Sequence, residues 1–226
     1  MDAKTENNLR REHIDSFGRL MAGLAHDMKN HLSIIRESNG LMADIIAMGT
    51  LGEDPTMVER LQKSIAAIER RVVISANMMH HLSGLAHRSD TPYSSFLIND
   101  LIEEEHIFLE RFSRLQQIEI ELELGEGLPA VYSEPSLLQY ILHRVYSQCL
   151  EQLDSGQRLA IITETATKGV MITFRLYGNS QINFEQFSSA TLPIAIQKLK
   201  GTLEMGKNSP EYSDIVFTIP SLSDKE

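Results

Sequence analysis

Between Val58 and Ala86 the apolar residues recur at alternating steps of three and four: Val58, Leu61, Ile65, Ile68, Val72, Met79, Leu82 and Ala86, with Ser75 in the one gap. This is a heptad-like seam, and a helix satisfies it only by lying along another long helix. The spacing predicts a helix over residues 56–87, with Thr56 as its cap and Glu59 three residues on as the box partner. A second stripe runs upstream through Phe17, Met21, Leu24, Met28, Leu32, Ile35, Met42 and Ile45, predicting a helix over residues 8–48. At about 1.5 Å per residue it would be roughly 60 Å long, beyond the usual globular range. Gly40 is its weak point, and the polar residues 1–8 are expected to fray. Gly49, Gly52, Asp54 and Pro55 form the break between the two helices. Two long helices joined by a short turn make an antiparallel hairpin. One hairpin cannot bury two wide stripes, whereas two hairpins can, which predicts a homodimer held by a four-helix bundle.

The first helix carries a polar cluster beside its stripe. Residues 17–37 read FGRLMAGLAHDMKNHLSIIRE. His26 and Asn30 are four apart and share a face, and Asp27 is adjacent to the histidine. A neutral imidazole is a nucleophile near pH 7, and a carboxylate beside it can take its proton or fix its tautomer. The plainer interpretation is a solvated helix face, with His31 capping a layer of the bundle. Counting back from a turn near residue 52 sets His26 level with residue 78, within a turn or two of His80 and His81. Zinc on these imidazoles is a further alternative, although no carboxylate or cysteine pattern supports its geometry.

The chain has 226 residues and a formal net charge of −10, from 21 basic and 31 acidic side chains. That balance argues against a nucleic-acid or acidic-membrane partner and favours a protein. Cys149 is the single cysteine, so there is no intrachain disulfide and no cysteine metal cluster; its apolar setting suits a buried small hydrophobe. No stretch approaches 18 apolar residues and the N-terminus has no apolar run, so the expected compartment is the cytoplasm.

Residues 87–94, HRSDTPYS, read as a linker between a hairpin domain at 1–90 and a second domain at 91–226. The second domain opens with an acidic amphipathic helix over 96–112, holding Leu97, Leu101, Ile107 and Phe112 with Ile98 alongside. IEIELEL, residues 118–124, alternates as a half-buried strand. A short strand at 130–132 and a helix over 134–153 follow. Strands at 159–165 and 170–177 form a hairpin through Lys168 and Gly169. Residues 179–188 are irregular, and a helix over 190–199 carries Pro193 in its first turn, where proline is tolerated. Short strands at 202–205 and 215–219 close the chain. This order predicts an α/β sandwich whose mainly antiparallel sheet has its helices on one face, giving an α+β chain overall.

Residues 24–35, LAHDMKNHLSII, resemble the phosphoacceptor box of bacterial sensor histidine kinases, which lies on the first helix of a dimerising hairpin. The resemblance implies that His26 is phosphorylated, that Asp27 is its general acid/base, and that Asn30 orients water or the partner's acyl phosphate in dephosphorylation. Proline often follows that asparagine in the family, and here His31 does. The second half is similar to the family's ATP-binding domain in its order of elements. Its nucleotide features are absent: Arg144 and Gln148 stand where two asparagines meet Mg²⁺ and the phosphates, and GNSQINFEQF has no Asp-x-Gly. SSATLPIAIQKL replaces a glycine-rich lid, and EYSD replaces Gly-Thr before the last strand.

The whole therefore resembles dimeric histidine phosphotransferases built on a kinase scaffold with a degenerate ATPase-type domain. That implies a phosphorelay protein passing phosphoryl groups between response-regulator aspartates through His26, using no cofactor of its own and relying on the regulator's Mg²⁺. The alternatives are a regulator phosphatase or binding scaffold and, on fewer features, a divergent ATP-dependent histidine kinase.

Overall fold

The computed structural model describes residues 3–48, 55–88, 90–91, 93–167, 169–178, 182–188 and 191–221. Residues 49–54, most of the predicted break, and Lys168 of the predicted hairpin turn lie outside these, as do Asn179 and Ala190 at the edges of predicted segments. The chain divides into two compact units, Met21–Ala86 and Met1–Leu20 with His87–Glu226. The sequence places a boundary at residue 90; the first twenty residues group with the second unit.

The smaller unit holds parts of two helices, α1 (Ala3–Ala47) and α2 (Pro55–His87). Helix α1 starts at Ala3 rather than near residue 8 and runs through Gly40 without a break. Pro55 opens α2, so Thr56 is inside the first turn instead of capping it; proline's fixed φ and missing N–H suit that opening position. Arg71 Nη1 lies 3.4 Å from His31 Nδ1, and the two residues are equally far from the connection, the register of an antiparallel pair. The stripes do not simply face each other. Leu24 and Ile45 are buried, but Leu32 on α1 and Val58, Ile65, Val72 and Met79 on α2 are exposed. The last four recur every seventh residue, at 41–52% exposure.

In the larger unit, five strands form one sheet in the order β2-β4-β5-β7-β6. They are β2 (Glu119–Leu124), β4 (Arg158–Ala166), β5 (Gly169–Tyr177), β6 (Thr202–Asn208) and β7 (Tyr212–Pro220). Every pairing is antiparallel except β2 with β4. A two-stranded antiparallel ribbon joins β1 (Ser94–Phe96) to β3 (Val131–Ser133). Alternation dictates the faces. Leu159 and Ile161, Ile172 and Phe174, and Ile215 and Phe217 are buried, while Glu119, Glu121 and Glu123 are exposed. Gly169 begins β5 hard against β7: a Cβ there would lie 2.1 Å from the Ile219 carbonyl oxygen.

Helices α3 (Ile98–Gln116), α4 (Pro135–Glu151) and α5 (Leu192–Lys198) complete the unit with a 3₁₀ turn at Phe184–Ser188. The buried face of α3 is Ile98, Leu101, Ile102, Glu105, Phe108 and Leu109. Leu97, expected on that face, sits at the cap and is exposed, because Phe96 still belongs to β1. Leu138, Ile141, Val145 and Cys149 of α4 are fully buried, and burial pushes the Cys149 thiol pKa upward. The N-terminal part of α1 docks here: Tyr140 Oη donates to Glu12 Oε2 at 3.0 Å, Thr191 Oγ1 bonds the same carboxylate, and His13 lies against the Tyr140 ring. Burial, ahead of the Glu12 charge, lifts the Tyr140 hydroxyl to about 12.

A carboxylate inside the apolar face of α3 needs a partner, and Glu105 has one. His143 Nδ1 is 2.8 Å from Glu105 Oε1, and Gln139 Nε2 donates to Oε2 at 3.5 Å. Removing one member of a buried pair strands the other. Glu105→Ala is expected to cost about 3–5 kcal/mol in urea unfolding, and replacing Glu105 and His143 together by leucine to recover most of it.

Candidate functional site

The region around His26 is built from consecutive turns of α1. Residues 26 and 30, and 27 and 31, are pairs four apart on the helix, and the second pair is the less exposed, with His31 facing Arg71 of α2. His26 and Asn30 are exposed, whereas Asp27 and His31 are half-buried. His26 Nδ1 meets both polar neighbours, Asn30 Nδ2 at 3.1 Å and Asp27 Oδ1 at 3.5 Å. Its Nε2 has no partner among the described residues, and the side chain is 50% exposed.

Two tautomers compete at Nδ1. An amide N–H from Asn30 needs a lone pair there, which leaves the ring proton on Nε2. A proton on Nδ1 points instead to the Asp27 carboxylate and leaves the Nε2 lone pair bare toward solvent. The second state is the nucleophilic one, and Asp27 is the group that favours it. His31 is engaged by Arg71. His80 and His81 lie edge-to-face with centroids 5.8 Å apart, and no group of three or more His, Cys, Asp or Glu among the described residues is placed to hold a metal.

The second region is the face of α4 bearing Arg144 and Gln148. Gln148 is buried, and its Nε2 donates to the Gln186 carbonyl at 2.8 Å. One turn on, Gln152 and Asn183 bond reciprocally: the Asn183 N–H donates to Gln152 Oε1 at 2.7 Å, and Gln152 Nε2 to the Asn183 carbonyl at 3.5 Å. Phe187 is almost wholly buried and stacks on Phe184. The segment after β5 is thus strapped to α4 by side-chain amides. Arg144 Nε and Gln148 Oε1 are buried without hydrogen-bond partners among the described residues. A guanidinium cannot ligate a cation, whereas an amide does so through its oxygen, and the Gln148 amide is held by its nitrogen on the Gln186 carbonyl.

Glu105 and His143 were not visible as a site from sequence; the signal was a carboxylate four residues from both Leu101 and Leu109 on one helix face. The strap was also missed, since glutamine side chains carry no periodic signature.

No protein-family profile matches the chain. The sensor histidine kinase ZraS of Escherichia coli O157:H7 is 21% identical over 193 residues, 85% of this chain and 40% of that protein. ZraS of Escherichia coli K12 matches at 21% over the same length, 39% of that protein. The chain thus spans about 40% of the length of the curated relatives it matches. Among solved structures, the nucleotide-free catalytic domain of histidine kinase ThkA superposes with a TM-score of 0.51 at 17% identity, covering 58% of this chain and 97% of that domain. ThkA in complex with the response regulator TrrA gives 0.51 at 17% identity, covering 100% of this chain and 69% of that one. The larger unit has the fold of a histidine-kinase catalytic domain, with its characteristic sheet.

The strap can be tested directly. Gln148→Ala removes a buried hydrogen bond worth about 1 kcal/mol, so amide exchange at residues 182–187 is expected to quicken roughly five- to tenfold while β4 and β5 stay protected.

Proposed function

We propose that the protein is a histidine phosphotransferase of a two-component phosphorelay, working as a homodimer and without ATP. The observation that carries this reading is the His26 ring, exposed, with both neighbours at Nδ1 and Nε2 open. Nε2 attacks the phosphorus of a response regulator's aspartyl phosphate. The P–N bond forms as the acyl P–O bond breaks, the regulator's carboxylate departs, and the proton on Nδ1 is held by Asp27. Attack by a second regulator's aspartate reverses these events. The reaction needs in-line placement and charge neutralisation, and the receiver domain's own Mg²⁺ supplies the latter. A response regulator as partner is supported by the fold shared with ThkA, which has been solved with TrrA.

The dimer follows from the exposed seven-residue repeat on α2. Each large aliphatic side chain taken out of water contributes roughly 1.5–3 kcal/mol, so four in a row favour a second copy. On this reading the hairpins pair as a four-helix bundle. The second unit acts as a docking or scaffold domain, since Arg144 and the strapped Gln148 take the places of metal-binding asparagines.

A kinase is the competing interpretation, favoured by the similarity to ZraS and the ThkA catalytic fold. A phosphatase is favoured by Asn30 beside the ring. Labelled ATP and labelled phospho-regulator, each incubated with the protein and resolved on alkaline gels that preserve phosphohistidine, separate the three. Label is expected from the regulator and not from ATP. Label from ATP means a kinase, and free phosphate with no labelled protein means a phosphatase.

His26→Gln is expected to keep the dimer and regulator affinity and abolish labelling, whereas His31→Gln keeps the label. Asp27→Asn should slow transfer by about 10²-fold. Sedimentation is expected to give a dimer that Ile65→Lys with Val72→Lys dissociates; a wild-type monomer at all concentrations would refute the bundle.

A further inference from the structure

A cavity of about 180 Å³ opens between α3 and α4, away from the strapped face of α4. Leu109, Phe112 and Leu150 form its apolar wall, and Arg19, His143 and Glu151 line it as well. Three facts about these polar groups point to a ligand. Arg19 and Glu151 carry opposite charges into one small space, yet neither has a hydrogen bond or ion pair among the described residues. They do not bond each other. His143, only 6% exposed, has its Nδ1 committed to Glu105, and its Nε2 has no partner among the described residues. Because a carboxylate only accepts, Nδ1 carries the proton, and in the neutral ring Nε2 offers a lone pair.

An apolar wall with one free cation, one free anion and one buried acceptor is complementary to a small zwitterion. We propose that this cavity binds a free α-amino acid with an aliphatic side chain. The ligand carboxylate pairs with Arg19, whose planar fork suits that group. The ammonium pairs with Glu151 and donates to His143 Nε2. The hydrocarbon side chain packs against Leu109, Phe112 and Leu150. Size is compatible with this: the volume equals the share of about six liquid waters, at about 30 Å³ each, which is room for valine or leucine. Ser147, also in the lining, adds a hydroxyl that can serve either charged group.

The site depends neither on His26 nor on phosphoryl transfer, so it stands or falls separately. The test is calorimetric titration of the full chain with L-leucine, leucinamide, which lacks the carboxylate, and 4-methylpentanoate, which lacks the ammonium. Leucine is expected to bind and each analogue to bind at least about tenfold more weakly, the loss of one charge-assisted contact. Arg19→Gln and Glu151→Gln alter exposed, unpaired side chains and leave the fold intact. Arg19→Gln should weaken leucine by about tenfold while leaving leucinamide unchanged, and Glu151→Gln should do the same for leucine against 4-methylpentanoate. Absence of heat with leucine up to about 10 mM, a range that captures even weak ligands, overturns the proposal. Equal binding of the three compounds by the wild type overturns it as well.

Discussion

Helix α4 is buried on nearly every side, so its polar residues can only be satisfied by the elements around it. Gln139 takes Arg88 and leans on Glu105; Tyr140 takes Glu12 and Thr191; His143 takes Glu105; Tyr146 meets His106; Gln148 takes the Gln186 carbonyl. An unpaired buried polar group costs about 1–3 kcal/mol, so each bond dictates where a neighbour may lie. Successive residues of α4 point in successive directions, and they tie α3, the start of α1, the strap and the lead-in to α5 to a single axis. The sheet supplies the apolar floor, but α4 fixes what stands on it.

The helical unit obeys the opposite rule. Its constraint is an unmet one: apolar side chains every seventh residue that the described residues leave about half exposed. A long helix gains little from its own propensity and depends on burial of its apolar stripe. Side chains of α2 divide accordingly. Ser64 and Leu85 are buried, Leu61 and Ile68 are half-buried, and Val58, Ile65, Val72 and Met79 are left outside. An uncovered strip this regular is a surface waiting for a second helical face, which is why a dimer is proposed for the unit that carries His26.

Period and punctuation made most elements legible. IEIELEL alternates cleanly and became β2; proline and the run SLLQYILHRVYSQCLEQL marked α4; Pro193 fell in the first turn of α5. The failures were about partners. A stripe shows that a residue seeks cover but not which surface provides it, so Leu32 and Val58 were assigned to a shared interface that the single chain does not close. Leu97 was placed on the core face because the short strand ending at Phe96 has no periodic signal of its own. At the candidate site the spacing of His26 and Asn30 was legible, being a helical step. Their meeting at Nδ1 was not, since it depends on rotamers. Glu105 was hidden by its neighbours: in an acidic helix, one carboxylate turned inward looks like all the rest.

The strap ties the glutamines of α4 to the aromatic residues of the segment beside it. The connection from β5 to α5 carries Phe184 and Phe187, and the ring of Phe187 is buried. Once Phe187 is inside, the chain beside it brings backbone carbonyls against α4, and these need donors. Glutamine, one methylene longer than asparagine, reaches them from positions 148 and 152. The Gln148 and Gln152 amides thus brace the segment after β5 against α4. Asparagine at 148 would shorten that brace by one methylene and withdraw it from the Gln186 carbonyl, leaving the buried Phe187 ring of the segment without its polar anchor.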